Sequence, residues 1–68
     1  MEHLAAARRH VAESDQHIAH QREIIAEKER DGHDTATSKQ LLAEIEGLHR
    51  LLVGERDRLE KELVEAST

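Results

Sequence analysis

Apolar residues in this chain recur at helical spacing. From Glu2 to about Arg30, Leu4, Val11, Ile18 and Ile25 stand at an unbroken seven-residue interval. Each is followed by an alanine (Ala5, Ala12, Ala19, Ala26) and preceded by His3, His10, His17 or Ile24. At about 100° per residue the three columns wind into adjoining stripes on one helix, with an aliphatic stripe between a histidine ladder and an alanine ladder. If the aliphatic column is heptad position a, position d holds Ala7, Ser14, Gln21 and Lys28. These are small or polar where a strong zipper carries leucine, so this helix alone pairs weakly.

A second helical pattern runs from about residue 35 to 65 and is richer. Leu41, Ile45, Leu48, Leu52, Leu59 and Leu63 share one face, Leu42, His49 and Val53 widen it along one edge, and Ala36, Ala43, Gly47 and Gly54 gather on the far side. A glycine inside a helix costs about 1 kcal/mol relative to alanine. Gly47 and Gly54 therefore either permit a close backbone approach or are tolerated there.

Between the two patterns lies Asp31-Gly32-His33-Asp34-Thr35. Glycine suits the left-handed position that ends a helix, and Asp34 or Thr35 can accept from the free N–H groups that open the next one. Thr37 with Gln40 offers a competing capping box one turn later. A short break between two helices makes them antiparallel neighbours. The fold expected is all-α: an antiparallel, coiled-coil-like two-helix hairpin with helix 1 over about 2–30, a turn at 31–34 and helix 2 over about 35–65, forming one unit over 1–68. Folding the chain at about residue 33 sets residues whose numbers sum near 66 at one height. Ile25 then meets Leu41, Gln21 meets Ile45, Ile18 meets Leu48, Ser14 meets Leu52, Val11 meets Glu55 and Ala7 meets Leu59, in a register good to about one turn.

Length and composition narrow the assembly. The 68 residues include no Phe, Tyr, Trp, Cys or Pro. Disulfide staples and thiolate metal sites are excluded, and chains of this size usually need a staple or a partner. The apolar arc of the second helix is too broad for one neighbour, with Leu42 and Val53 expected to stay uncovered. Two hairpins joined by a two-fold axis into a four-helix bundle are the simplest remedy. The interface residues expected are Leu4, Val11, Ile18, Ile25, Leu41, Leu42, Ile45, Leu48, Leu52, Leu59 and Leu63.

Charge limits the partners. The formal net charge is −5 with neutral histidines, and without a basic cluster or an aromatic stacking platform, nucleic acid is not an expected partner. No apolar run approaches the roughly 20 residues of a membrane span, and no signal-peptide core opens the chain, so a cytoplasmic protein with protein partners is expected.

Histidine is the residue type that invites a chemical reading, at six copies. His3, His10 and His17 lie about 10.5 Å apart per step and cannot share an ion. His17 and His20, three residues apart, could reach one metal together with His49, which gives a metal-binding hairpin as an alternative. The plainer reading has the histidines flanking the apolar stripe with a ring nitrogen left wet. Protonating all six would take the formal charge from −5 to +1, a pH response within the range where imidazole titrates. The glutamates mix with Lys and Arg at helical spacing, as Asp57 does with Lys61, and form a solvated face. No nucleophile elbow, phosphate loop or His-Glu-x-x-His pattern is present. The expectation is a non-enzyme without a cofactor.

The segments His10-Val11-Ala12-Glu13, His17-Ile18-Ala19-His20-Gln21-Arg22-Glu23, Arg30-Asp31-Gly32-His33-Asp34-Thr35, Leu41-Leu42, and Leu48-His49 with Arg56-Asp57-Arg58-Leu59 resemble a group of short uncharacterised alphaproteobacterial proteins of the rhizobial type. The likeness spans nearly the whole chain, and the Asp-Gly-His-Asp-Thr turn is its most specific part. It implies a helical hairpin in a bacterial cytosol and carries no functional residues with it. The function expected is a non-catalytic interaction protein that forms a homodimer. The alternatives are the histidine metal site and a regulatory partner that binds a helix of its target.

Overall fold

The chain reverses through backbone hydrogen bonds that the turn sequence permits. His33 N–H donates to the Lys28 carbonyl at 2.8 Å and Gly32 N–H to the Glu29 carbonyl at 3.2 Å. This paired pattern satisfies the last carbonyls of a helix and requires a left-handed residue at its end. Gly32 supplies that conformation, with φ of 76°. Asp34 Oδ1 then accepts the Ala36 N–H at 3.0 Å, and the Thr35 carbonyl accepts the Lys39 N–H at 2.9 Å, which opens the second helix. Of the expected caps, Asp34 is the one whose side chain accepts a helix N–H, Thr35 contributes its backbone carbonyl, and Thr37 lies inside the helix.

The computed structural model describes residues 2–67. It consists of α1 (Glu2–Arg30) and α2 (Ala36–Ser67), packed against each other. There is no strand among the described residues, and residues 1 and 68, the ends of the expected unit, lie outside them. The second helix begins one residue later than expected and runs two residues further.

Cross-helix bonds fix an antiparallel register. Arg8 pairs with Glu60, Arg22 with Glu46 and Lys39 with Glu29, while Ser14 meets His49 and Lys28 meets Ser38. The paired numbers sum near 66, within the expected turn. The seam itself runs closer to the Ser14–His49 pairing. Stepping from it by threes and fours sets Leu4 level with Leu59, Ala7 with Arg56, Val11 with Leu52 and Ile18 with Ile45. Ala7 is thus level with a long side chain, whereas the other three levels set large aliphatic residues against one another.

The burial pattern follows heptads on both helices. On α1 the buried residues are Leu4, Ala7, Val11, Ser14, Ile18, Gln21 and Ile25, the a and d columns read from the sequence. From Thr35, just before α2, the inward column continues through Ser38, Leu42, Ile45, His49, Leu52, Arg56, Leu59 and Leu63, buried at its first two members and half-buried beyond. Two expectations are corrected here. Leu41 and Leu48 do not face Ile25 and Ile18 but lie outside the seam, 46% and 57% exposed. Leu42 and Val53, expected to be uncovered, are half-buried instead. The physical reason is that α2 is turned toward the edge where its Glu46 and Glu60 meet Arg22 and Arg8. Its apolar arc is wider than one neighbour covers, so the opposite margin is left out.

Candidate functional site

The two edges of the hairpin differ in chemistry because each carries a different heptad column. One edge is built from Arg8, Asp15, Arg22 and Glu29 of α1 and Lys39, Glu46, Val53 and Glu60 of α2. Opposite charges meet along it: Arg8 Nε lies 3.1 Å from Glu60 Oε1, Arg22 Nη2 3.1 Å from Glu46 Oε2, and Lys39 Nζ 3.4 Å from Glu29 Oε1. Exposed pairs like these contribute about 0–1 kcal/mol each, so their main effect is to select the register and rotation of α2.

The other edge carries His3, His10, His17 and Ile24 of α1 beside Leu41, Leu48, Glu55 and Glu62 of α2. Here a shallow open groove of about 230 Å³ runs between the helices. It is lined by His10, Glu13, Ser14 and His17 from α1 and Ile45, Leu48 and Leu52 from α2. Its α2 side is aliphatic, and its α1 side carries two imidazoles together with the Glu13 carboxylate and the Ser14 hydroxyl. Leu51 and Val64, further round α2, are 73% and 63% exposed. Among the described residues no large side chain is completely enclosed.

Polar groups interrupt the seam between the edges. Gln21 Nε2 donates to the Ser38 carbonyl at 3.0 Å and Lys28 Nζ to Ser38 Oγ at 2.9 Å. Ser14 Oγ lies 3.0 Å from His49 Nδ1, and His49 Nε2 lies 3.3 Å from Asp15 Oδ1. Among the described residues no buried side-chain polar atom lacks a partner. Satisfied polar layers of this kind penalise slipped registers, in which the same groups would be buried unpaired.

The Ser14, His49 and Asp15 trio contains the residue types of a nucleophilic relay, but its geometry serves structure. Ser14 is buried in the seam, and the N–H groups around it are engaged in the helix ladder, so they are not free to hold an oxyanion. The alternative metal triad is not assembled either. His17 and His20 are exposed on α1, while both ring nitrogens of His49 are engaged by Ser14 and Asp15. Among the described residues no group of three or more His, Asp or Glu side chains is placed to hold an ion.

Of the expected interface residues, Leu4, Val11, Ile18 and Ile25 are buried in the hairpin's own seam and Leu42, Ile45, Leu52, Leu59 and Leu63 are half-buried. Leu41 and Leu48 alone of that set are exposed. Sequence reasoning missed the charge ladder and the histidine–leucine edge. Both are legible in the seven-residue columns once α2's own heptad is set by His49 rather than by its leucines. No helix among the described residues is long and apolar enough to cross a membrane. No protein-family model, curated protein or solved structure matches this chain.

Proposed function

We propose that this chain is a non-catalytic interaction protein whose hairpin associates with a second copy into a four-helix bundle. The observation that carries the reading is the uncovered apolar margin of α2, where Leu41 and Leu48 stand exposed beside half-buried Ile45 and Leu52. Area supports it. The hairpin is a rod of 56 × 14 × 14 Å with a radius of gyration of 16.0 Å, against about 11 Å for a compact chain of this length. It exposes 5231 Å², whereas a compact monomer of its mass exposes about 4,300 Å². The excess of about 900 Å² is close to the ~800 Å² that each partner covers in an interface of ordinary size.

A second copy suits this margin because a two-fold axis sets the same leucines against themselves and closes the assembly. The proposal extends to the setting: a cytoplasmic protein of the alphaproteobacterial group that its turn and histidine repeat resemble, with proteins rather than nucleic acid as partners. Sedimentation equilibrium over a wide concentration range tests it, read by interference optics because the chain has no Trp or Tyr. A mass twice that of the 7.7 kDa chain is expected, and a monomer at every concentration refutes the reading.

A further inference from the structure

We infer that the second copy seats on the groove edge bearing His10 and His17, and that protonation of these two imidazoles releases it. The inference rests on the self-association proposed above and names both its surface and its control.

The two edges are not equivalent as docking faces. On the charged edge, Arg8, Arg22 and Lys39 already have carboxylate partners within the chain, and covering them would remove water from satisfied ion pairs at a cost. On the other edge α2 contributes only Ile45, Leu48 and Leu52 to the groove, and α1 lines it with His10 and His17 together with Glu13 and Ser14. Neutral imidazole is an amphipathic surface that packs against aliphatic side chains. Imidazolium is a charge that loses its hydration when a partner closes over it.

The charged groups near the two rings do not compensate for both. Glu13 is the carboxylate lining the groove, it is exposed, and Arg9 Nε lies 3.8 Å from it. No residue that α2 contributes to the lining is charged. Asp15 pairs with His49 on the other side of Ser14. Glu55, one heptad on from Leu48 along the same edge, is level with His10 and exposed but does not line the groove, and Glu62 lies a further heptad away, so His17 has no such neighbour on α2.

The sign follows from linkage. If burial disfavours the charged ring, the free hairpin binds more protons than the dimer, so association weakens as pH falls through the ordinary imidazole range. Each ring that the dimer keeps neutral and the free hairpin can protonate weakens association by up to about tenfold per pH unit of acidification, and by about tenfold in all between pH ~7.5 and ~5.5. Two rings per copy give four in the dimer and a ceiling of about 10⁴-fold. The overall charge acts in the opposite direction. At −5 with neutral histidines, two copies repel, and acidification relieves that repulsion, so a non-specific charge effect would tighten the dimer at low pH.

The test is the dimer Kd of the full chain from sedimentation equilibrium at the two pH values, for the parent, a His10→Gln/His17→Gln variant and a His20→Gln control. The parent is expected to weaken at least tenfold at the lower pH, the control to weaken equally, and the double variant to change less than about threefold. A parent that dimerises but weakens less than tenfold, or tightens on acidification, overturns the histidine control and leaves self-association standing. So does a double variant that retains the parent's pH response. A parent that is monomeric at both pH values overturns self-association, and this inference with it.

Discussion

Leu48→Ala separates association from folding. Leu48 is 57% exposed in the hairpin, and full burial of a leucine is worth about 1.5–3 kcal/mol. Roughly half of that, about 1 kcal/mol, is therefore still to be gained when a partner covers it. A two-fold interface contains the residue twice, so truncation should weaken the dimer by about 2 kcal/mol, or about 30-fold in Kd. Within one hairpin the same change removes methyls that are less than half covered, and alanine's better helix propensity offsets part of the loss. Helix stability should fall by less than about 1 kcal/mol. Ile18→Ala is the contrasting perturbation: Ile18 is buried in the seam, and its truncation should cost about 2–4 kcal/mol of folding. The assay pairs sedimentation equilibrium for Kd with ellipticity at 222 nm during denaturant titration, at a concentration where the parent is monomeric. A Leu48→Ala protein whose Kd stays within about threefold of the parent's refutes the assignment of this margin as the interface.

Three further substitutions probe the hairpin itself, each read by denaturant titration under the same conditions. Gly32 holds φ of 76°, so Gly32→Ala should destabilise by about 1–2 kcal/mol through backbone strain alone, there being nothing within 4 Å for the added methyl to meet; an unchanged midpoint would show that the turn reorganises without penalty. Gly54 has an ordinary helical conformation and open space at the Cβ position, so Gly54→Ala should stabilise by up to about 1 kcal/mol. A loss of stability there would mean that the added methyl is not free in the hairpin, and a weaker dimer by sedimentation equilibrium would mean that a partner backbone approaches Gly54 closely. Ser14→Ala removes the hydroxyl 3.0 Å from His49 Nδ1 and should cost about 0.5–1.5 kcal/mol, and a neutral result would show that the polar layer adds nothing to stability.

How far the fold could be read in advance depends on how the apolar signal is distributed. On α1 Leu4, Val11, Ile18 and Ile25 form a single narrow column, and such a column admits one rotation toward a neighbour. The structure buries that column with Ala7, Ser14 and Gln21 beside it. The turn was equally legible, because a left-handed glycine followed by Asp and Thr has few other uses. On α2 the leucines spread over an arc broader than one helix can cover, and periodicity cannot say which part turns inward. A choice led by leucine content picks Leu41 and Leu48, whereas the structure picks Leu42 and His49. The groove was hidden for the same reason: its lining joins two columns, His10 with His17 and Ile45 with Leu48, whose meeting depends on the rotation of α2.

By itself the sequence determined two helices, their limits to within a residue or two, their antiparallel order and the inward face of the first. These properties are local: seven-residue spacing, one glycine with positive φ, and side chains that cap the adjacent backbone act over a few residues whatever surrounds them. Only the tertiary structure decided the rotation of α2, and with it which edge is closed by charge pairs and which keeps leucines and histidines in the open. That choice depends on Arg8, Arg22 and Lys39 reaching Glu60, Glu46 and Glu29 and on Ser14 reaching His49. These pairs are weak singly and lie far apart in the chain, so their joint effect exists only once both helices are in register.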